Sequence, residues 1–189
     1  MRRVTRTAIA ATLSVLAVSA ATGAAGAEMA SGTEPGPAAE SAQGARIVGS
    51  GGARLPDPSG NGDPVWFKVD GRMSPEGQHS GRFHVIHRTP DGGPFAEFEG
   101  RIDCVFAVEG QGVVTGIIEK VDAPALPPDV DLMGRRVGVS IKDNRHGPDA
   151  IGWSWSTGGF EQDTLPCNSV PPFLDIEHGG YHVSGSMFG

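Results

Sequence analysis

The sequence is poor in lysine, and its charge is acidic overall. It has three lysines, Lys68, Lys120 and Lys142, and its 15 basic residues stand against 22 acidic ones, for a net charge of −7. Proteins that bind nucleic acid present clustered Lys and Arg to phosphate groups, as do proteins that bind anionic membrane surfaces. This sequence has no such cluster. We therefore expect neither nucleic acid nor an anionic membrane surface as a partner.

Patterns that carry known catalytic chemistry are also missing from the sequence. No serine lies in a G-x-S-x-G pattern, and neither H-E-x-x-H nor a closely spaced cysteine pair is present to bind zinc. His84 and His87 differ by an odd number within one predicted strand, so they should face opposite sides of a sheet. We therefore expect no catalytic residues, no cofactor and no zinc site.

One apolar run is present, and it lies at the N terminus. Three arginines within the first six residues precede the run over 8–21, and the small residues Ala25-Gly26-Ala27 follow it. This order predicts a secretory signal peptide over 1–27, since the run is short for a bilayer span of about 20 apolar residues. We expect a secreted, extracellular protein with no stable membrane insertion.

The composition divides the rest of the chain in two. Residues 28–62 are dominated by Gly, Ala, Pro, Ser and Glu, a composition that buries too little apolar surface to offset the entropy of ordering. We predict a disordered spacer there. Residues 63–189 are richer in Val, Ile, Phe and Trp, and their number suits a single domain.

Apolar residues after position 63 recur with a period of two, which predicts β-strands. The clearest stretch is 95–109, where Ala96, Phe98, Ile102, Cys104, Phe106 and Val108 share one parity and charged residues occupy much of the other. Gly100 interrupts the apolar parity, which predicts a bulge or a sharp bend. Further strands are predicted over 65–70, 82–88, 113–121, 136–142, 151–157 and 180–185.

The predicted strands should form an antiparallel meander. Thr89-Pro90-Asp91-Gly92-Gly93 and Glu109-Gly110-Gln111-Gly112 have the chemistry of tight turns. Seven to eight strands in this length must protect their edges, either as a small β-barrel or as a two-layer β-sandwich. We favour the all-β barrel, and the sandwich remains the alternative.

Cys104 and Cys167 are the only cysteines. An even pair in an exported protein predicts a disulfide, although two unpaired thiols with Cys104 in the core remain possible. The strand parity points Cys104 inward. A bridge would then hold the long loop 158–179 across one mouth of the barrel, as a lid or plug.

Two groups of residues are candidates for ligand binding. Trp153 and Trp155 share a parity and offer an aromatic platform for a sugar or another flat ligand, or else belong to the core. Asp143, Asn144 and Asp149 offer oxygen atoms in a Gly-Pro turn and form a weak calcium candidate. The same residue types also stabilise turns without an ion.

Three pieces of the chain resemble a known group of proteins. They are Phe67-Lys68-Val69-Asp70, the stretch 100–110 (GRIDCVFAVEG), and Val139-Ser140-Ile141-Lys142-Asp143-Asn144 followed by Gly147, Pro148 and Asp149. In this order they resemble small exported actinobacterial proteins sometimes labelled repetin-like, related to β-modules that repeat in larger bacterial surface proteins. The resemblance implies an exported β-module and brings no catalytic residues. Only one copy of the module is visible in this chain.

Two functions are consistent with these features. The favoured one is a secreted, non-enzymatic β-module whose partner is a small ligand or a cell-surface component. The alternative is a small-barrel enzyme, an isomerase or hydrolase, with Arg82, His84 or Glu119 inside a hollow barrel. A cavity of several hundred Å³ with converging polar groups would favour the enzyme or a ligand carrier, and a filled interior would contradict both. The oligomeric state is not predicted.

Overall fold

The computed structural model of the chain describes residues 44–57 and 62–186. The predicted signal peptide and the first part of the predicted spacer lie outside these residues. The described residues form nine strands and one short helix. They are β1 (Ala45–Arg54), β2 (Pro64–Met73), β3 (His79–Arg88), β4 (Pro94–Val108), β5 (Gln111–Asp122), β6 (Arg136–Lys142), β7 (Ala150–Trp153), α1 (Trp155–Gly158), β8 (Leu174–Asp175) and β9 (His178–Ser184).

All nine strands belong to one antiparallel sheet, which confirms the all-β class. The order is β8-β7-β6-β5-β4-β3-β2-β1-β9, so the chain runs as a meander from β1 to β8 and β9 returns to pair with β1. Each of the seven predicted strands is present, and all but β7 end within three residues of the predicted positions. β1 and β8 are additional.

The sheet is strongly curled into a half-barrel. β8 and β9 lie at opposite ends of the sheet order, yet two residues, Ile176 and Glu177, separate them along the chain. Nine flat strands would span about 38 Å, whereas this connection reaches about 10 Å. The two ends of the sheet must therefore curve toward each other.

The inner face of the curl holds the hydrophobic core. Alternate residues of the strands point inward and are almost fully buried, among them Phe67, Phe83 and Ile118. Gly100 lies at a shift in the β4–β5 register, as expected of a bulge, and a Cβ there would lie 2.6 Å from the ring of Phe83. A Cβ on Gly116 would lie equally close to the same ring. The glycines make room for a large side chain in the core.

Strand β1 corrects the prediction of a disordered spacer for residues 45–54 of the predicted range 28–62. It pairs with β2 and β9, and Ile47 within it is fully buried. Its glycines leave room for rings from the neighbouring strands: a Cβ on Gly52 would meet the Trp66 ring at 2.2 Å. The apolar surface that buries β1 comes from the neighbouring strands. The composition of β1 itself is therefore typical of a linker.

The ring of Tyr181 in β9 lies against Gly49 and Gly51 of β1 in the same way. Its hydroxyl donates a hydrogen bond of 2.9 Å to the carbonyl oxygen of Phe67. Burial raises the pKa of this hydroxyl, so it stays protonated and remains a donor. Tyr181 thereby ties β9 to the second strand of the sheet across β1.

A bulge at Asp103 of β4 reverses the direction predicted for the side chains in the C-terminal half of this strand. The register with β5 shifts between Ile102 and Cys104, and beyond it Val105 and Ala107 are buried while Phe106 is 44% exposed. One extra residue in a strand reverses the alternation that follows. The inward direction predicted for Cys104 is therefore wrong.

The predicted strand 151–157 is also shorter than expected. β7 ends at Trp153 and the chain turns into α1, where the Ser156 hydroxyl donates to the carbonyl oxygen of Trp153 at 2.8 Å. The Ser154 amide donates to the carbonyl oxygen of Gly138. The Ser154–Gly138 bond still belongs to the ladder with β6, and the local bond from Ser156 to Trp153 competes with a continued strand.

Replacing Ile47 with alanine tests whether β1 belongs to the folded core. We expect Ile47→Ala to lower the free energy of unfolding by about 3 kcal/mol, because it removes fully buried methyl groups. The exposed neighbour provides a control, and Arg46→Ala should change it by less than about 0.5 kcal/mol. Urea unfolding measures both. Equal stability of the two variants would show that β1 is dispensable.

Candidate ligand-binding site

An apolar pocket of about 190 Å³ lies within one end of the curled sheet. Residues near the ends of β1 to β4 and β7 line it. Its buried wall includes Val65, Phe67 and Phe98, while Phe95 and Trp155 are partly exposed. The pocket therefore extends from the hydrophobic core toward solvent.

Trp153 and Trp155 both line this pocket. Trp153 is buried and stacks on Phe67 with ring centroids 5.0 Å apart. Trp155 packs edge-on against Phe98 at 5.4 Å and stacks on Phe160 at 5.5 Å. The tryptophans thus contribute to the wall of an aromatic pocket and do not form an open platform.

His87 and its partner Asp63 bring a polar group to the pocket. The His87 Nε2 atom lies 2.7 Å from a carboxylate oxygen of Asp63, and the imidazole ring stacks on Phe95 with centroids 4.1 Å apart. These two contacts fix the orientation of the ring. Among the residues that line the pocket, only His87 and the two tryptophans have polar side-chain atoms.

Two loop residues complete the pocket and were not predicted. Leu126 comes from the loop after β5, and Phe160 follows α1. The only sequence signal that could have indicated them is that each is an apolar residue in an otherwise polar or proline-rich loop. The spatial position of a loop cannot be read from strand periodicity. Asp63 and His87 likewise meet only because β2 and β3 pair.

The residues that the enzyme hypothesis placed inside the barrel lie on the outer face. Arg82 contacts Glu119 at 3.3 Å, and Arg101 contacts the same carboxylate at 3.2 Å. The Nε2 atom of His84 lies 2.9 Å from a carboxylate oxygen of Glu97. In β3 the buried residues are odd-numbered, so Arg82 and His84 point outward. That part of the hypothesis is wrong.

The outer face also holds a carboxylate whose pKa is lowered by a neighbouring lysine. A hydrogen bond and the charge of the Lys120 ammonium lower the pKa of Glu99, and the same contact raises the pKa of Lys120. A general acid needs the opposite shift in a carboxyl group. Glu99 is therefore suited to bind cations and not to donate protons.

The expected disulfide between Cys104 and Cys167 is present, but it lies on the outer face. Cys104 pairs across the strands with Thr115, whose hydroxyl accepts a hydrogen bond from the Cys167 amide at 3.2 Å. The bridge holds a segment that we call the strap, residues 164–173. The strap runs along the outside of the sheet, so the predicted lid or plug over a barrel mouth is wrong.

Two strand glycines allow the strap to lie close to the sheet. A Cβ on Gly138 would lie 2.1 Å from the carbonyl oxygen of Asn168, and one on Gly152 would lie 2.5 Å from that of Pro171. The Ser140 hydroxyl donates to the carbonyl oxygen of Val170. Close backbone approach is a recognised use of glycine within strands.

Asp143 and Asp149 join the turn after β6 to strand β9. Asp149 accepts hydrogen bonds from the Tyr181 amide at 2.7 Å and the Asn144 amide at 2.9 Å. Asp143 accepts one from the Val183 amide at 3.0 Å. We call these contacts to β9 the carboxylate clasp. Both aspartates of the weak calcium candidate therefore accept hydrogen bonds from backbone N–H groups.

Removing Asp149 tests the clasp. We expect Asp149→Ala to lower the free energy of unfolding by about 2 to 3 kcal/mol, because two backbone N–H groups lose their acceptor. Asp129→Ala, in an exposed loop, is the matched control and should change it by less than about 0.5 kcal/mol. Thermal unfolding with calcium and with EDTA separates the two explanations. If calcium held the turn, EDTA would destabilise the unaltered protein and abolish the difference.

Removing the disulfide tests the position of the strap. Cys104 and Cys167 are 63 residues apart, and the loop-entropy relation gives a loss of at most about 4 kcal/mol for the double alanine variant. Urea unfolding measures the loss. Phe173 of the strap contacts the Trp153 ring at 4.6 Å, so tryptophan emission is not a suitable readout. At a temperature where the variant stays folded, the NMR signals of the pocket residues Ala96 and Phe98 should be unchanged, because the bridge lies on the outer face. Changed signals at both residues would indicate that the bridge covers the pocket after all.

No family model, no curated protein and no solved structure matches this chain. Within residues 44–57 and 62–186, none of the helical segments is long and apolar enough to cross a membrane. The resemblance to repetin-like exported proteins therefore stays a prediction from the sequence pieces given above.

Proposed function

We propose that this protein is a secreted, non-enzymatic β-module that binds a small apolar molecule in the pocket at the end of its curled sheet. One observation carries the proposal: six Phe and Trp side chains line a cavity of about 190 Å³ that extends from the core to solvent. Apolar pockets with few polar groups are the usual sites of small-ligand binding, and this one is smaller than most of them.

The volume of the pocket limits the size of the ligand. An apolar cavity of about 150 Å³ accepts benzene, so about 190 Å³ suits a single ring with a few substituents, roughly ten non-hydrogen atoms. A ligand of that size binds with a dissociation constant of about 1 µM to 1 mM.

The lining defines the chemical class of the ligand. Rings from Phe67, Phe98, Trp153 and Trp155 favour an aromatic or alicyclic molecule, since stacked and edge-on ring contacts add to the gain from burial. A sugar would bury several hydroxyl groups with few partners, at a cost for each. His87, oriented by Asp63, offers a hydrogen-bonding partner for one polar substituent. A phenol-like or heteroaromatic ligand fits this lining best.

Export and closure of the sheet as a small barrel are part of the same proposal. The Cys104–Cys167 disulfide supports export, because such bonds persist in oxidising compartments. The carboxylate clasp supports closure, because it links β9 to the turn between β6 and β7. The basic and apolar N-terminal sequence and the resemblance to repetin-like proteins agree with export.

A second candidate function is an isomerase or hydrolase that uses the pocket. The observation that favours it is the His87–Asp63 pair, since a carboxylate that orients a histidine is a common arrangement for a general base. Incubating a bound ligand with the protein and examining it by NMR distinguishes the two. A binding module returns the ligand unchanged, whereas an enzyme converts it.

Filling the pocket tests the proposed binding. A panel of single-ring probes, comprising toluene, p-cresol, indole and cyclohexanol, is titrated while tryptophan fluorescence and the melting temperature are followed. We expect at least one probe to bind with a dissociation constant of about 1 mM or less. Ala96→Leu places extra carbon atoms in the pocket and should weaken binding by about tenfold or more.

Trp66→Phe is the matched control, because Trp66 does not line the pocket. It should leave probe affinity within about twofold of the original value. The proposal is contradicted if no probe binds while Ala96→Leu raises the melting temperature. These two results together would show that the cavity is a packing defect, which the larger side chain fills.

A further inference from the structure

A row of charged and polar side chains crosses the outer face of the sheet, away from the apolar pocket. Lys68 of β2 pairs with His84 of β3, His84 pairs with Glu99 of β4, and Glu99 pairs with Lys120 of β5. Cross-strand neighbours on one face have Cβ atoms about 5 Å apart. His84 is therefore next to Glu99, and Glu97 is its diagonal neighbour on the same face.

The three central side chains place their donor atoms close together. The Nε2 atom of His84 lies 2.9 Å from a carboxylate oxygen of Glu97, and one donor atom from each of His84, Glu97 and Glu99 lies within 4.8 Å of the other two. One ion with bonds of about 2.0 to 2.2 Å fits among them after small side-chain rotations. The three side chains are partly exposed, so an ion can reach them.

The neighbouring cations each contact one oxygen of these two carboxylates. Arg88 contacts Oε2 of Glu97 at 3.0 Å, so Oε1 remains toward His84. Lys120 contacts Oε1 of Glu99 at 3.0 Å, so Oε2 is left for another partner. Contacts to the second oxygen of a carboxylate orient the first one for a metal.

We propose that His84, Glu97 and Glu99 form a binding site for a divalent transition-metal ion of the zinc class. The imidazole selects against calcium and magnesium, which prefer oxygen ligands alone. Three protein ligands leave a fourth position for water or for an anion. His84 and Glu99 also line an open groove of about 470 Å³, which gives that position access to solvent.

Histidine spacing alone could not reveal this site. His84 and His87 do face opposite sides of the sheet: His87 lines the apolar pocket, and His84 lies on the outer face. The missing ligands are the carboxylates of the next strand. They depend on the β3–β4 register, which sets Glu99 opposite His84.

Calorimetric titration of the protein with zinc chloride tests the proposal. We expect one site with a dissociation constant of about 1 to 100 µM. His84→Ala, Glu97→Gln and Glu99→Gln should each weaken it by about tenfold or more. The glutamine variants keep the side-chain shape, and circular dichroism verifies that each variant is folded.

Two control variants test whether zinc binds to a histidine or a carboxylate elsewhere on the protein. His182 lies 3.6 Å from Asp143 in a separate His–Asp pair, and Glu119 contacts Arg82 and Arg101 on the same outer face. His182→Ala and Glu119→Gln should leave zinc affinity within about twofold. The proposal is overturned if no saturable site appears below about 1 mM, or if zinc binding survives Glu97→Gln and Glu99→Gln or disappears in His182→Ala.

Discussion

The short connection between β8 and β9 determines the shape of the whole sheet. Ile176 and Glu177 join strands from its two ends, and their amides donate to the carbonyl oxygens of Asp149 and Gly52. A nine-stranded sheet can satisfy this connection only by curling around an apolar interior. The curl separates an inner face that carries the core and the pocket from an outer face that carries the charges and the disulfide strap.

Much of this architecture is visible in the sequence, because the alternation of apolar and polar residues survives wherever a strand is regular. The rule fails at Asp103, where one extra residue reverses the facing of Cys104 and Phe106. It also fails in β1, whose glycines are covered by the rings of Trp66 and Tyr181. Bulges and glycine–aromatic contacts depend on the neighbouring strand, and a single strand's sequence does not contain that information.

The candidate sites, like the fold, could be predicted only in part from the sequence. Trp153 and Trp155 both line the pocket, but not through the shared strand parity that the sequence indicates, because β7 ends at Trp153 and Trp155 lies in α1. The positions of the loop residues Leu126 and Phe160 cannot be predicted from periodicity. The carboxylate of Asp149 has the oxygen atoms that calcium prefers, but its partners in the structure are backbone N–H groups. Residue type predicts the chemistry available at a position, and only the fold decides which partner uses it.

The two ends of the sheet meet where β9 contacts the turn after β6, and amide hydrogen exchange followed by NMR reports on this junction. Amides of Tyr181 and Val183 point away from β1 and donate to the carboxylate clasp. We predict that they exchange as slowly as amides in the middle of β2 and β3, with protection of at least about a thousandfold. Exchange at the rate of exposed loops, while β2 and β3 stay protected, would show that β9 is not held against the turn after β6.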